Sequence, residues 1–168
     1  MKKPQNFPDD WETYYPRVVR CAYFETWNLA EAEDIAHDVW IKINQKPEGF
    51  TAGTNFRAWL FKIAYNTLLD RLRKERRMVS LVEESALECP SEAVEQVGLD
   101  QEQAECIQRA LQDLPDDERR VIVLKFYEGM KQIEIARILG VANSTVTTRL
   151  KKVLEKLKLV LAPLVSVA

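Results

Sequence analysis

Apolar side chains recur with the period of an α-helix along most of the chain, whereas the alternation that is typical of a β-strand is hard to find. The apolar stripes predict one helix near residues 11–22, a second from about Ala30 to Asn44 and a third from about Phe56 to Arg77. Pro16 marks either the start of the first helix or a kink within it, because proline cannot donate a backbone hydrogen bond. We therefore expect an all-α protein whose first three helices pack into one small domain.

A break in the helical pattern separates the second and third helices. Residues 46–53 contain one proline and two glycines, which predicts an exposed loop. Thr54 or Asn55 can cap the following helix, since either side chain offers an oxygen to the free backbone N–H groups of the first turn.

Charge is divided into four blocks, which the net charge of −2 conceals. Residues 1–56 carry 6 basic and 9 acidic groups, residues 57–82 carry 7 and 2, residues 83–118 carry 1 and 12, and residues 119–168 carry 10 and 3. Phosphates respond to the local field rather than to the total charge. The pattern predicts two anion-binding modules joined by a strongly acidic connector.

Residues 131–155 have the pattern of a helix-turn-helix. Gly140 lies where the first helix would end, a position at which glycine adopts the left-handed conformation at least cost. Asn143 or Ser144 can cap the second helix. The predicted inward faces consist of Ile133, Ala136 and Leu139 in the first helix and of Val146, Leu150, Val153, Leu154 and Leu157 in the second.

The outer face of the second of these helices combines short polar side chains with cations. Such a helix can enter the major groove of DNA, where polar side chains reach base edges and cations meet phosphates. An ordinary helical hairpin with a solvated polar face is the alternative, but the small residue, turn glycine, cap and basic face together favour DNA. The predicted DNA-binding residues are Asn143, Ser144, Thr145, Thr147, Thr148, Arg149, Lys151 and Lys152.

Basic and aromatic side chains are interleaved over residues 56–77. This combination suits single-stranded or opened DNA, because cations follow the backbone while rings or pockets hold unstacked bases. The arginine-rich run 71–77 also has a structural interpretation, since the helix dipole favours cations at a helix C-terminus. Phe56, Trp59 and Ile63 lie on the apolar stripe and are expected in the core, whereas the better claim to DNA belongs to Lys62, Tyr65, Asn66 and Arg73.

Most of the chain, from about residue 10 to 160, resembles the extracytoplasmic-function (ECF) sigma factors of bacteria. The segments that resemble conserved region 2 are Glu33-Asp34-Ile35-Ala36-His37-Asp38-Val39-Trp40, Phe56-Arg57-Ala58-Trp59-Leu60-Phe61-Lys62-Ile63-Ala64-Tyr65-Asn66 and Asp70-Arg71-Leu72-Arg73. Those that resemble region 4 are Leu114-Pro115, Arg119, Val121, Tyr127-Glu128-Gly129 and the helix-turn-helix up to Leu157. The two matches occur in the order and at the separation that the family requires.

The resemblance implies two small helical domains and a role in transcription. Region 2, a bundle of three or four helices, would occupy residues 7–78, an acidic flexible linker residues 79–100, and the helix-turn-helix of region 4 residues 101–162. The chain would direct RNA polymerase to promoters, in a regulon that answers stress or envelope signals.

The resemblance also implies partners and contact residues. Asp34, His37 and Asp38 would dock onto the clamp of the largest polymerase subunit, and region 4 would meet the flap of the second-largest subunit. The helix from Asn143 would read the minus-35 element as duplex, although Thr147 stands where the family often has a basic residue. An anti-sigma factor is a further expected partner. The residues that would bind and open the minus-10 element are Asn55, Lys62, Tyr65, Asn66, Arg71, Arg73, Lys74, Arg76 and Arg77.

Other classes of protein fit the residues less well. No nucleophile–base pair or phosphate-binding glycine loop can be assembled, so we expect no enzyme activity and no cofactor. Three widely spaced cysteines and the single histidine do not indicate a disulfide framework or a metal site. The apolar runs are much shorter than the ~20 residues of a membrane span, so we expect a cytoplasmic protein. A sigma-like decoy leaves the basic surfaces unexplained, and a dimeric helix-turn-helix regulator leaves the first module unexplained.

Overall fold

A computed structural model describes residues 11–45, 49–51, 55–78 and 101–165. The chain divides into two compact units, residues 1–88 and 89–168, and every element in the described part is a helix. The all-α class and the two helical domains are thereby confirmed. The predicted acidic linker, residues 79–100, lies outside the described residues. None of the described helices is long and apolar enough to cross a bilayer.

Three helices make up most of the described part of the first unit, as the apolar stripes predict. Helix α1 spans Trp11–Thr26, α2 spans Leu29–Gln45 and α3 spans Phe56–Met78. Helix α1 begins five residues before Pro16 and continues through it, so the proline does not start the helix.

The core of this unit lies where the three apolar stripes meet. Burying a Leu, Ile or Val side chain contributes roughly 1.5–3 kcal/mol, so a cluster of this kind holds three amphipathic helices together. Its buried members are Val18, Ala36, Val39, Ile43, Leu60 and Ala64, with Phe56, Trp59 and Ile63 among the residues packed against them. The core role predicted for these three residues of α3 is therefore confirmed.

Two asparagine caps set where α2 and α3 begin. The Asn28 side-chain oxygen accepts a hydrogen bond from the backbone N–H of Glu31 at 3.1 Å, and the Asn55 oxygen accepts one from Ala58 at 3.2 Å. Each bond satisfies a donor that the first helical turn leaves free. Of the two caps proposed for α3, Asn55 fills the position, whereas Thr54 lies outside the described residues.

The loop before α3 is not exposed throughout, contrary to the prediction. Phe50 is only 7% exposed, and its ring lies 5.4 Å from the rings of both Phe56 and Trp59. Apolar contact of this kind outweighs the turn-forming composition around it. The aromatic contact fixes this part of the loop against the first turn of α3.

An arginine of α3 pairs with carboxylates of α2. The Arg71 guanidinium donates to Asp34 Oδ2 and to Asp38 Oδ2, each at 3.3 Å, and lies 3.5 Å from Glu75 Oε1. Glu31 lies in the same cluster, and burial, a hydrogen bond with Glu75 and the charge of that carboxylate raise the pKa of Glu31 to about 7 in spite of Arg71. The two helices therefore meet through an ionic cluster as well as through apolar packing.

Within residues 101–165, the second unit has four helices and one π-helical segment. Helix α4 spans Gln101–Gln112, α5 spans Asp116–Ile122, α6 spans Gln132–Leu139 and α7 spans Asn143–Val165. The π-helical segment Val123–Tyr127 extends α5 by about one turn. The core includes Val121, Leu124, Met130, Ile135, Val146 and Val153.

The helix-turn-helix is built from α6 and α7. Gly140 has a φ of 68°, and the next N–H, that of Val141, bonds to the carbonyl of Ala136 at 3.0 Å. The predicted left-handed glycine is confirmed. Helix α7 begins at Asn143, so Asn143 and Ser144 lie in its first turn and not at the cap, where the Ala142 carbonyl accepts from Thr145 and Val146.

The predicted inward face of α6 is only partly right. Ile135, Ala136 and Ile138 are buried, whereas Ile133 is 49% exposed. A helix this short can bury either of two overlapping apolar stripes, and the packing of α6 against α7 selects the stripe of Ile135. In α7 the expected burial is confirmed for Val146, Leu150 and Val153, but Leu154 is exposed.

The raised pKa of Glu31 predicts how the stability of the first unit depends on pH. The folded state keeps the proton up to about pH 7, whereas an unfolded carboxyl loses it near its usual pKa of 4.5. The unit should therefore lose stability as pH rises through this interval. Glu31→Gln removes the ionisation, so it should stabilise the unit by about 1 kcal/mol at pH 8.5 and have little effect at pH 5.

Urea unfolding followed by tryptophan fluorescence measures this effect, because all four tryptophans lie in the first unit. Glu33→Gln, which changes an exposed carboxylate of the same helix, is the matched control. A gain from Glu31→Gln of equal size at both pH values would contradict the account.

Candidate nucleic-acid interface

The exposed face of α7 brings together most of the residues predicted to bind the minus-35 element. Residues three or four positions apart share a helix face, so the spacing of this set makes it continuous. Thr145 and Arg149 are half-buried at the edge of this face. The exposed members are Asn143, Ser144, Thr147, Thr148, Lys151 and Lys152.

Two threonine hydroxyls on this face are held by hydrogen bonds. Thr147 Oγ1 lies 2.9 Å from Gln132 Oε1 and 3.1 Å from the Asn143 carbonyl, and Thr148 Oγ1 donates to the Ser144 carbonyl at 3.0 Å. Each hydroxyl proton is thus directed at a protein acceptor, which leaves the oxygen lone pairs free to accept from a base amino group. Gln132, at the start of α6, thus fixes the side chain of Thr147. At this position the sigma factors that the sequence resembles often have a basic residue.

The acids of α5 pair with the cations of α7. Asp117 Oδ2 lies 2.6 Å from Arg149 Nη2, and the two oxygens of Glu118 accept hydrogen bonds from Lys152 and Lys156, each at 2.7 Å. The Glu118 side chain is only 5% exposed. The partners of these acids lie more than thirty residues away along the chain, so no local sequence pattern indicates the pairs.

Opposing effects act on the Glu118 carboxyl. Burial favours its neutral form, but hydrogen bonds from Lys152 and Lys156, together with their charges, outweigh burial and lower its pKa. The hydrogen bond to Glu118 and the charge of this carboxylate likewise raise the pKa of Lys152. Both groups are therefore ionised at neutral pH, and the pair anchors α7 to α5.

An open depression of about 400 Å³ lies between the two helices. Two kinds of group face it: the carboxylates of α5 on one side, and hydroxyls and cations of α7 on the other. The depression thus offers donors and acceptors to a polar ligand such as a base edge or a phosphate. Its lining residues are Asp117, Glu118, Ser144, Thr145, Thr148, Arg149 and Lys152.

In the first unit, four of the predicted minus-10 residues lie along one face of α3. At 3.6 residues per turn, Asn55, Lys62, Asn66 and Arg73 fall within about 40° of one another around the helix axis. Asn55, Asn66 and Arg73 are exposed, and Lys62 is half-buried. Lys74 is also exposed, on the neighbouring flank, and Arg73 lies 3.5 Å from Asp70. The side chains of Arg76 and Arg77 lie outside the described residues.

Tyr65 and Arg71 do not belong to this face. Tyr65 is only 1% exposed, so it is a core residue and its assignment to DNA is wrong in this conformation. Arg71 lies about 160° around α3 from Asn55, on the side that faces α2, where it binds Asp34 and Asp38. Arg71 therefore lies apart from the other predicted minus-10 residues, and its assignment to that element stays a prediction.

The three residues predicted to bind polymerase share one face of α2. Asp34, His37 and Asp38 are spaced by three and four positions, and Asp34 and His37 are exposed while Asp38 is half-buried. Arg71 holds both carboxylates at 3.3 Å. Arg71 thus orients the predicted docking residues, a role that sequence reasoning missed because it assigned the arginine to DNA.

Comparisons with known proteins agree with both units. The family model for sigma-70 region 2 matches residues 11–78, and the model for sigma-70 region 4 matches residues 104–157. The chain is 33% identical over 162 residues to the ECF RNA polymerase sigma factor SigW of Bacillus subtilis. The aligned region covers 90% of this chain and 87% of SigW. It is 34% identical to the ECF sigma factor SigL of Mycobacterium tuberculosis over 83% of this chain and 79% of that one.

A solved structure of a sigma factor has a similar fold. The sigma factor RpoE of Bartonella quintana, in complex with the anti-sigma factor NepR, matches with a TM-score of 0.78 and 27% identity over 95% of this chain and 98% of that chain. Together with the matches to both regions and to SigW, this likeness shows that the chain belongs to the ECF RNA polymerase sigma factors, which direct promoter-specific initiation of transcription.

Proposed function

We propose that the two units of this sigma factor hold separate promoter elements, with α7 reading the minus-35 element as duplex and α3 binding the opened minus-10 element. The observation that carries this proposal is the outer face of α7, on which short polar side chains and cations lie together beside the depression at α5. An interface that serves only to bind protein has no need of such a face.

The groups on α7 suit the major groove. The exposed first-turn residues Asn143 and Ser144, with Thr147 one turn further on, are placed to reach base edges. Arg149 has the donors for a guanine, and the exposed Lys151 is suited to a phosphate. Bases would therefore be read near the start of the helix and phosphates further along it.

The face of α3 suits opened DNA. Lys62 and Arg73, about three turns apart, would follow the sugar-phosphate backbone, and the amides of Asn55 and Asn66 can bond to exposed bases. The loop that ends at Asn55 would capture a flipped base, for which the strand must already be open. Phe50 supports this assignment by fixing part of that loop against α3.

Asp34, His37 and Asp38 on α2 would dock on the clamp of the largest polymerase subunit, while the second unit would meet the flap of the second-largest subunit. The pairs with Arg71 hold the two aspartates in place before polymerase binds. Docking of this kind keeps both units in register on a single promoter.

Regulation and cellular context follow from the family. The related structure contains an anti-sigma factor, and we propose that a protein of this class also restrains the present chain. Genes that answer stress or envelope signals are the proposed targets. The chain would act in the cytoplasm with polymerase and would catalyse no reaction of its own.

Run-off transcription tests the role of α7. The chain added to core polymerase should initiate from promoters with a defined upstream element. If Arg149 reads a base, Arg149→Ala should lower initiation by the factor that corresponds to a loss of about 1–3 kcal/mol in promoter binding. Arg109→Ala removes an exposed arginine of α4 and should have little effect. A loss that is the same on every promoter would make Arg149 a phosphate contact, and failure of the chain to support initiation would overturn the proposal.

Affinity for core polymerase tests the docking face. Asp38→Asn removes a docking carboxylate with little change in shape, so affinity should fall about tenfold. Glu12→Gln, at an exposed site in the first turn of α1, is the control. Binding to labelled core enzyme gives the affinity, and tryptophan-monitored unfolding shows whether the variant stays folded. Affinity equal to that of the unaltered chain, with the fold intact, would remove Asp38 from the docking face.

A further inference from the structure

We propose that Asp117 is a positioning residue that orients Arg149 toward a guanine, and that it thereby sets the base preference of one position in the upstream element. This inference rests on the proposed role of α7 in reading duplex DNA. It concerns a residue of α5, outside the helix that would enter the groove, and gives that residue a role in specificity.

The contact between the two side chains is direct. Asp117 Oδ2 lies 2.6 Å from Arg149 Nη2, and both residues line the depression between α5 and α7. The Arg149 side chain is 26% exposed, so it is held against the protein while part of it stays open to solvent. A guanidinium carries five N–H donors in a rigid plane, so one bond to a carboxylate leaves others for a base.

The carboxylate is itself held in place. Asp117 lies in the first turn of α5, between two anchored neighbours. Next to it, Glu118 binds Lys152 and Lys156 of α7 at 2.7 Å. On the other side, the buried Arg119 donates to Asp116 at 2.7 Å and to the Leu114 carbonyl at 2.9 Å. The distance from the start of α5 to α7 is therefore set by contacts that do not involve Arg149.

A fixed carboxylate changes what Arg149 can recognise. A free arginine side chain has many rotamers and must lose that freedom to form two parallel bonds to a base. Held by Asp117, the guanidinium is already restricted before DNA arrives. Guanine presents two acceptors, O6 and N7, in the major groove, and this is the base whose edge matches two parallel arginine donors.

Electrostatics separates positioning from a general effect on binding. A carboxylate near DNA repels phosphates, so Asp117 on its own weakens binding to every sequence by a similar factor. Its orientation of Arg149 favours only those sequences that carry guanine at the matching position. Removing the Asp117 charge should therefore lower the preference for guanine while leaving affinity for other sequences equal or higher. A variant that only disturbed the fold would not raise affinity for any sequence.

A promoter library randomised over the upstream element, transcribed by reconstituted holoenzyme, tests the inference. Arg149→Ala identifies the position that this arginine reads, as the one where preference for guanine disappears. Asp117→Asn should reduce guanine preference at that same position by about threefold to tenfold and leave other positions unchanged. Asp117→Glu, which keeps the charge, should retain more of the preference, and Glu105→Gln, an acid paired with Arg109 in α4, should have no effect.

A double variant shows whether Asp117 acts through Arg149. In the Arg149→Ala background, Asp117→Asn should cause no further change in base preference. Unaltered guanine preference in Asp117→Asn, an equal loss at all positions, or an additive effect in the double variant would each overturn the inference. If the unaltered holoenzyme showed no preference anywhere in the upstream element, the proposed role of α7 itself would fail.

Discussion

A carboxylate that is almost removed from water determines how the second unit presents its DNA-binding helix. Glu118 is buried in α5, and an ionised carboxyl at such a site requires cationic hydrogen-bond donors. Lys152 and Lys156 of α7 supply them at 2.7 Å. Because these lysines are one turn apart on α7, their pairing with one carboxylate fixes both the distance and the rotation of the helix relative to α5. The rotation in turn decides which residues of α7 face outward.

Both units position functional side chains through ion pairs between helices. The side chains that are held are cations in the second unit and carboxylates in the first. In the second unit, the acids of α5 hold cations of the helix that faces DNA. In the first, Arg71 of α3 holds Asp34 and Asp38, which lie on the predicted docking face of α2. The carboxylates of Asp117 and Glu118 also reduce the net positive charge of the proposed DNA face of α7, which lowers its attraction for the phosphates of any sequence. Affinity in isolation should accordingly be low.

Apolar periodicity and one glycine were enough to predict α1, α2, α3, the helix-turn-helix of α6 and α7 and the turn at Gly140, because these features depend on local spacing and backbone conformation. The two units were predicted from the charge blocks and from the resemblance to the sigma factors. Side chains with mixed character were harder to place. Tyr65 has an apolar ring as well as a hydroxyl, and its side chain is buried in the core. Ile133 belongs to one of two overlapping stripes on a short helix. The partners of Arg71 on α2 and of Glu118 on α7 are 33 to 38 residues away, and pairs this distant are created by tertiary packing, so no local sequence pattern predicts them.

The equilibrium affinity for a duplex that carries both promoter elements tests the central claim most directly, measured at one stated salt concentration for the chain alone and for the chain bound to core polymerase. The account predicts weak binding by the chain alone and an increase of about a hundredfold or more with core, because polymerase holds both units on one promoter. Equally tight binding by the chain alone and by the holoenzyme would contradict it and indicate a regulator that binds duplex DNA unaided.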